Sequence, residues 1–308
     1  MHFISYYLVF PLVWLISRLP MKILYLISDL LFLIVYYGIG YRKKTVLSNL
    51  KLAFPEKEDR EIKKIAKEFF KHFTDLLIES VKTFSISEKE ILKRYQYKNP
   101  EVVNALAEKG RSIVLVGAHQ ANWEWSFNLS FVLNIDVYGA YTKLQNPYFE
   151  NKIKQVRTKF GVKGVKTSET VKKIHTNHQN NKQALYLLLS DQSPMLHKTH
   201  YWSEFMGVNV PIHTGAEMLA KKYDFSVVNY TTKKIKRGYY ETEFTLLCEE
   251  PKEIENYDIT DQYLAITERA IREQPSFYLW SHKRFKHANK YREWLEKNSK
   301  KNSKKKPR

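Results

Sequence analysis

The forty residues at the start of the sequence restrict its fold more than any other feature. They are mostly apolar with few charges, whereas the whole chain has 51 Lys and Arg residues against 32 Asp and Glu residues. Residues 21–39 approach the roughly 20 residues that a helix needs to cross a bilayer. Such a segment must either contact lipid or be covered by other helices. We predict that residues 1–41 are an N-terminal membrane anchor.

The charges within and after this segment indicate how it would meet a membrane. Asp29 lies inside it and would be costly in contact with lipid. Basic residues at 42–44 follow it at once, which is typical of a cytoplasmic flank. We therefore expect the rest of the chain on the cytoplasmic side of a membrane. Three arrangements stay open, since the segment can span the bilayer, lie in its interface, or pack as the core of a soluble protein.

The remainder of the chain alternates between helix and strand patterns. Apolar residues at helical spacing from Ile62 to Val81 predict a long amphipathic helix. Residues 111–116 read as a buried strand that Gly117 ends, and residues 122–133 then read as a helix. This order of strand, loop and helix is typical of an α/β fold.

A similar order recurs later in the chain. Residues 183–190 read as a second buried strand that ends at Asp191, and a helix follows from about Thr214 to Lys222. Residues 225–232 and 239–250 look like a hairpin around the connection KKIKRG. We therefore predict an α/β fold in which helices flank a mixed sheet.

The basic excess and the single cysteine limit the classes of function. A formal net charge of +19 favours negatively charged partners such as nucleic acid, anionic lipid or an acidic carrier protein. We expect no nucleic-acid partner, because no known binding motif accompanies the charge. Cys248 is the only cysteine, which excludes an internal disulfide and a multi-cysteine zinc site. We predict one domain over residues 42–296 and a disordered basic tail over residues 297–308.

A histidine and an acidic residue after the first predicted strand form a candidate catalytic pair. In the segment GAHQANWEW, Glu124 stands five residues after His119. Positions five apart point about 140° apart on a helix, so His119 must lie in the loop. We expect Glu124, in the first helical turn, to accept a hydrogen bond from Nδ1 of His119, which leaves the other ring nitrogen to act as a base. The carboxyl end of a strand is also where open α/β sheets bind ligands.

Six segments in order resemble the bacterial lipid A biosynthesis acyltransferase family, the lauroyl and myristoyl acyltransferases related to glycerolipid acyltransferases. They extend from about Tyr41 to Lys286 and read YRKKTVLSNLKLAFPE, GAHQANWEW, YTKLQNPYFE, SDQSP, HTGAEMLAKKYDFSVV and YLWSHKRFK. The resemblance implies a glycerolipid acyltransferase-like α/β domain behind a membrane helix. It also implies that His119 and Glu124 are the catalytic dyad and that Arg157 supports the oxyanion of the thioester reaction.

Further substrate contacts are predicted around these segments. Asp191 and Gln192, in SDQSP, are expected to shape the substrate pocket, and Asn122 is expected to contact substrate. Lys283 and Arg284 are expected to meet phosphates of the acceptor or an acidic acyl-carrier protein. We predict no metal or other cofactor, because acyl transfer from a thioester needs only a base, an oxyanion donor and an acyl groove.

The activity implied by the resemblance is transfer of a fatty-acyl chain from an acyl-carrier protein or CoA thioester to a hydroxyl or amine of a membrane lipid. The expected setting is the cytoplasmic side of a bacterial inner membrane, with its anionic surface as a partner and a lipid A precursor as acceptor. Thr142 and Lys143 replace the Arg-Pro of many relatives, so a lysophospholipid or aminolipid acceptor is an alternative. Two other classes stay open at this point, a membrane-tethered scaffold without catalysis and a nucleic-acid-binding protein.

Overall fold

A central mixed sheet dominates this computed structural model, which describes residues 2–303 except for a few side chains, that of Arg157 among them. The strands are β1 (Tyr95–Tyr97), β2 (Ile113–Gly117), β3 (Val137–Tyr141), β4 (Lys163–Lys166), β5 (Leu185–Leu189), β6 (Tyr201–Phe205), β7 (Val208–Ile212), β8 (Ser226–Lys236) and β9 (Tyr239–Cys248). Seven of them form one sheet in the order β1, β9, β8, β2, β5, β3, β4, and β6 pairs with β7 separately. Neighbours in the large sheet are parallel except β8 and β9, which confirms the predicted mixed sheet.

Helices cover both faces of this sheet, as predicted. They are α1 (His2–Arg18), α2 (Met21–Leu33, continued by a π-helix over Ile34–Ile39), α3 (Lys43–Ala53), α4 (Asp59–Lys82), α5 (Glu88–Arg94), α6 (Glu101–Glu108), α7 (Pro147–Lys159), α8 (Thr170–Gln179), α9 (Gly215–Tyr223), α10 (Asp258–Glu273) and α11 (Tyr291–Ser303). Successive residues of β2 face opposite sides. Val114 and Val116 pack in a core with α8, α9 and α10, whereas Ile113 and Leu115 pack in one with α6 and α7. Burial of both faces explains the unbroken apolar run that predicted this strand.

The apolar N-terminal segment is helical and packs along the side of α4. Among the described helices, only the stretch Met21–Ile39 is long and apolar enough to cross a membrane. It contacts α4 through polar as well as apolar groups, since Tyr25 donates to Glu79 and Ser28 donates to Asp75, each at 2.8 Å. The candidate anchor therefore shares an interface with the α/β fold.

The hairpin of β8 and β9 is tighter than the sequence pattern predicted. The predicted connection was KKIKRG, but β8 continues to Lys236 and only Arg237 and Gly238 form the turn. Gly238 has φ +73°, and a Cβ there would lie 1.9 Å from the hydroxyl oxygen of Tyr25. Glycine is required because the turn is left-handed and meets the N-terminal helix without room for a side chain.

Other parts of the fold differ from the sequence-based prediction. The helix predicted over residues 122–133 is a 3₁₀-helix over Trp123–Phe131. The pattern does not reveal β1, β3, β4, β6 and β7, because polar residues or glycine interrupt each of these short strands and none has an unbroken apolar run like those of β2 and β5. α11 continues to Ser303, whereas disorder was predicted from residue 297, and residues 304–308 lie outside the described residues.

Candidate active site

The loop after β2 holds His119 at the carboxyl end of the central strand, as predicted. Main-chain bonds tie this loop to the C-terminal segment. The N–H of Leu279 donates to the carbonyl of His119 at 3.0 Å, and the N–H of Ala121 donates to the carbonyl of Phe277 at 2.8 Å. Main-chain groups of Phe277 and Leu279, just before and at the start of the YLWSHKRFK segment, therefore position the loop that carries His119.

Asp191 follows the neighbouring strand and pairs with His119. Because β5 lies beside β2 and runs parallel to it, the residues after both strands meet at one edge of the sheet. There Nδ1 of His119 lies 2.7 Å from Oδ1 of Asp191. Asp191 is buried and His119 is half-buried. A buried carboxylate at this distance accepts the Nδ1 proton and fixes the tautomer that leaves the lone pair on Nε2.

The predicted hydrogen bond between Glu124 and Nδ1 of His119 is wrong, because Asp191 occupies that position. Glu124 does lie in the first turn of the helix after the loop, and it borders the same cavity as His119. The prediction used only the spacing within one segment. The actual partner comes from a strand more than seventy residues away in sequence.

Nearby negative charge determines the proton affinity of this pair. Burial lowers the pKa of His119, but the charge and hydrogen bond of Asp191, with the charge of Glu124, outweigh burial and raise the pKa above its ordinary 6.5. Burial alone would raise the pKa of Asp191, yet the same pairing with His119 holds it below 3.8. At neutral pH Asp191 is therefore ionised and stabilises positive charge on the imidazole.

Gln192 approaches the other ring nitrogen of His119. Its Nε2 lies 3.3 Å from Nε2 of His119 and donates to the lone pair there. A hydrogen bond of this length is weak, so the hydroxyl or amine of a substrate can replace the amide. Gln192 also lines the adjacent cavity, where a substrate contact was predicted for it.

A cavity of about 870 Å³ opens beside the histidine. His119, Glu124 and Gln192 line it together, and most of its remaining surface is apolar. The apolar lining includes Phe84, Phe127, Ile153, Val162, Leu187 and Leu219. A site that combines a few polar groups with apolar walls suits a ligand that has a reactive head and a hydrocarbon chain.

Asn122 supports the 3₁₀-helix and does not contact the cavity. It is 1% exposed. Its Oδ1 accepts from the N–H of Trp125 at 3.0 Å, and its Nδ2 donates to Glu79 at 2.6 Å. This caps the helix that carries Glu124. The predicted substrate contact of Asn122 is wrong, because both ends of its amide are bonded inside the protein.

Glu79 is a buried acid that the sequence reading did not select. It accepts hydrogen bonds from Tyr25, Asn122 and Tyr240 at 2.8, 2.6 and 2.7 Å. Burial raises its pKa to about 7, although the hydrogen bonds from Tyr240 and Tyr25 lower it. A charged residue among the apolar positions of the predicted α4 helix is the signal that marks it in the sequence. Glu79 connects the N-terminal helix to the loop that carries the candidate site.

Lys283 and Arg284, the basic residues predicted to bind phosphate, do not line the cavity. Arg284 is 1% exposed, donates to the carbonyl of Pro211, and stacks on Phe205 with its guanidinium carbon 4.7 Å from the ring centroid. The predicted phosphate contact is wrong for Arg284, because it lies in the core. Lys283 is exposed but does not line the cavity. The side chain of Arg157 lies outside the described residues, so its role in oxyanion stabilisation stays a prediction.

The SDQSP and YLWSHKRFK segments meet behind the site. The N–H of Ser193 donates to Nε2 of His282 at 3.1 Å. Burial lowers the pKa of His282 to about 4, so its ring is neutral and can accept this bond at neutral pH. Asn49 of α3 donates to the carbonyls of Trp280 and His282 at 2.8 and 2.7 Å. Segments that are far apart in the sequence thus form one support for the paired histidine and aspartate.

His213 is a further polar residue on the cavity that the sequence reading did not select. It opens the HTGAEM segment, immediately before the Thr214 that precedes α9. Burial, followed by the charge of Arg284, lowers its pKa below 6.5. A neutral imidazole therefore borders the cavity beside His119 at neutral pH.

The site combines an imidazole of fixed tautomer with an apolar cavity, which suits proton removal from a hydroxyl or amine. Comparison with curated proteins gives no match to the chain. A family model described as bacterial lipid A biosynthesis acyltransferase matches residues 1–287. Because this match covers nearly the whole sequence, the chain belongs to the bacterial lipid A biosynthesis acyltransferase family.

Proposed function

We propose that the protein transfers a fatty-acyl chain from the thioester of an acyl-carrier protein, or of CoA, to a hydroxyl or amine of a membrane lipid. Membership of an acyltransferase family supports this class of reaction. The observation that carries the proposal is the 2.7 Å contact between His119 and Asp191 beside the 870 Å³ cavity. A lipid A precursor is the acceptor that the family indicates.

The proposed reaction uses Nε2 of His119 as a general base. Nε2 removes the proton of the acceptor while the acceptor oxygen or nitrogen attacks the thioester carbonyl carbon and forms a tetrahedral oxyanion. Collapse of this intermediate breaks the C–S bond, and the imidazolium returns the proton to the departing thiolate. The negative charges of Asp191 and Glu124 stabilise the imidazolium between these two steps.

The remaining tasks of the reaction are assigned to the cavity. Its apolar walls hold the acyl chain and exclude water from the thioester. Ile153 and Lys154 of α7 line it, so the family-based assignment of Arg157, on the same helix, as oxyanion donor is compatible with the fold. Gln192, next to Nε2 of His119, positions the nucleophilic atom of the acceptor.

The proposed setting is the cytoplasmic face of a bacterial inner membrane. The apolar N-terminal helix supports membrane association, and family membership supports a lipid acceptor. A formal net charge of +19 favours an anionic membrane surface and an acidic acyl-carrier protein as partners.

Product analysis tests the proposed function and its acceptor. Purified protein is incubated with an acyl-carrier protein or CoA thioester as donor, together with one lipid acceptor in each reaction. The acceptors are a lipid A disaccharide precursor, a lysophospholipid and an aminolipid. Mass spectrometry is expected to find one added acyl chain on the lipid A precursor. A product on only one of the other lipids would identify that lipid as the acceptor instead of the lipid A precursor. The absence of a product on any lipid would contradict the proposed function.

Glu124→Gln is predicted to reduce kcat roughly 100-fold, because it removes a charge that stabilises the imidazolium. Initial rates of acyl transfer measure the effect, and circular dichroism verifies the fold. Glu169→Gln is the matched control, since Glu169 is an exposed carboxylate that binds Lys166 outside the cavity. Near-normal turnover of Glu124→Gln would remove this residue from the mechanism.

A further inference from the structure

We infer that α1 and α2 dock on one leaflet of an anionic bilayer and lie in its interface without crossing it. This inference depends on the membrane association proposed above, but it does not depend on acyl transfer. Three features support it: α2 packs along α4, the exposed side of the two N-terminal helices is apolar, and charged residues lie around these helices.

Contacts with α4 run along the whole length of α2. Near the start of α2, Nζ of Lys82 donates to the carbonyl of Leu19 at 3.0 Å. Beyond its end, in the π-helix, Nζ of Lys67 lies 6.0 Å from the ring centroid of Tyr37. The two helices are therefore side by side and antiparallel. If Met21–Ile39 crossed a bilayer along its normal, α4 would cross it as well.

Charged groups lie beside α2 at several levels and prevent such a crossing. The guanidinium of Arg237 bonds to Asp29 and to Asp75, each at 2.7 Å, and Nζ of Lys71 lies 5.7 Å from the ring centroid of Phe32. Asp29 is 54% exposed, so this ion pair is not enclosed by protein. Charges at mid-membrane are costly, and here they are spread along the helix rather than confined to its ends.

The side of the two helices that faces away from α4 is apolar. We call this surface the apolar stripe, and it consists of Leu8, Leu12 and Leu15 on α1 and of Ile23, Leu26, Leu30 and Leu33 on α2. Leu8 and Leu26 are each 68% exposed. Their recurrence at helical spacing makes one continuous face along each helix.

Basic residues border the apolar stripe and favour an anionic surface. Lys22 lies at the start of α2, and Arg42 and Lys44 follow its π-helical extension, all three exposed to solvent. Lys and Arg close to an anionic leaflet add to membrane affinity. An apolar face with a basic border is the pattern of helices that lie in a membrane interface.

This orientation brings the cavity to the lipid surface. α1 packs on α7 through Tyr6 and Phe149, whose ring centroids are 5.1 Å apart, and on the chain after α4 through Phe10 and Phe84, at 5.5 Å. Phe84 and Ile153 of α7 line the cavity. A lipid acceptor can therefore reach the cavity from the interface without leaving it.

Cysteine labelling distinguishes an interfacial helix from a spanning one. In the full chain carrying Cys248→Ser, Lys22→Cys and Lys44→Cys mark the two ends of the stretch Met21–Ile39, and Lys172→Cys on α8 marks the side of the α/β fold. Sealed membrane vesicles of both orientations are treated with a membrane-impermeant maleimide. All three positions are expected to react in the same vesicle orientation. Reaction of the two ends in opposite orientations, or at neither end, would overturn the inference whether or not the protein transfers acyl chains.

Vesicle flotation tests the apolar stripe itself. Leu26→Asp is expected to weaken binding to vesicles that contain phosphatidylglycerol by at least about tenfold, because it removes one large buried contact with lipid. Leu246→Asp is the matched control, since Leu246 is an exposed leucine on β9, outside the apolar stripe. Equal binding of wild type and Leu26→Asp would overturn the inference. Loss of self-association in Leu26→Asp, with vesicle binding retained, would assign the stripe to a second copy of the chain and would also overturn it.

Discussion

At the scale of single residues, His119 acts as a base only while its Nε2 is unprotonated, so its pKa defines the acid limb of the pH–rate profile. The charge of Asp191 raises that pKa against the effect of burial. Asp191→Asn is therefore predicted to move the acid limb to lower pH. It is also predicted to lower kcat roughly 10²–10⁴-fold, because an amide no longer selects the productive tautomer. Acyl-transfer rates across pH measure both effects.

Asp136→Asn is the matched control for that experiment. Asp136 is a carboxylate at the surface that binds Lys163 and Lys182 at 2.7 and 2.9 Å and does not line the cavity. Its replacement is expected to leave the acid limb in place. An acid limb that also stays in place in Asp191→Asn would show that this carboxylate does not control His119.

Glu79 is predicted to make the fold less stable as pH rises. The folded protein keeps its Glu79 proton to about pH 7, whereas the ordinary pKa of this carboxyl is 4.5. Between these values the folded state binds more protons than the unfolded state, so the free energy of unfolding falls as pH increases. The loss is on the order of 3 kcal/mol by pH 8. Urea unfolding at pH 5 and pH 8 measures it.

Glu79→Gln isolates this contribution, because glutamine has a similar shape and does not titrate. The variant is expected to lose the part of the pH dependence that comes from Glu79, while other groups such as His119 keep theirs. Identical pH dependence in wild type and Glu79→Gln would mean that Glu79 has an ordinary pKa in the folded protein.

At the scale of elements, the strands with unbroken apolar runs and the helices with regular amphipathic spacing were predictable from the sequence. The apolar runs of β2 and β5 and the amphipathic spacing of α4 carry their own signal. Which strands become neighbours is a long-range property that no local pattern contains. For this reason the loop position of His119 was predictable, whereas its pairing with Asp191 was not.

The turn between β8 and β9 has a testable effect on the N-terminal helix. Gly238→Ala is predicted to destabilise the protein for two reasons, the left-handed φ of +73° and a Cβ 1.9 Å from the hydroxyl oxygen of Tyr25. The combined cost is expected to exceed about 2 kcal/mol. Thermal unfolding measures it.

Gly207→Ala separates these two causes. Gly207 has φ +74°, but nothing lies within 4 Å of a Cβ there, so this substitution carries the backbone strain without the clash. It is expected to cost about 1 kcal/mol. If both substitutions lower the free energy of unfolding by the same amount, a side chain at position 238 does not clash with Tyr25 of the N-terminal helix.

At the scale of the whole molecule, the sequence was sufficient for the α/β architecture, the apolar helix and the family. It was not sufficient for the burial of Arg284 in the core or for the position of Asn122 beneath the site. Both are polar residues within the motif segments. Only the surroundings of such a residue in the folded protein show whether it supports the site or contacts the substrate. The position of α2 beside α4 is equally a property of the assembled fold.

The most direct test of the proposed mechanism is the rate of acyl transfer by purified His119→Ala with an acyl-carrier protein thioester and a lipid A precursor, beside wild type and His200→Ala. His200 is an exposed histidine outside the cavity lining, so its replacement controls for loss of an imidazole. The proposed mechanism predicts no measurable turnover by His119→Ala, at least 100-fold below wild type, with folding and membrane binding retained and with normal turnover by His200→Ala. Transfer by folded His119→Ala at a rate close to wild type would contradict it.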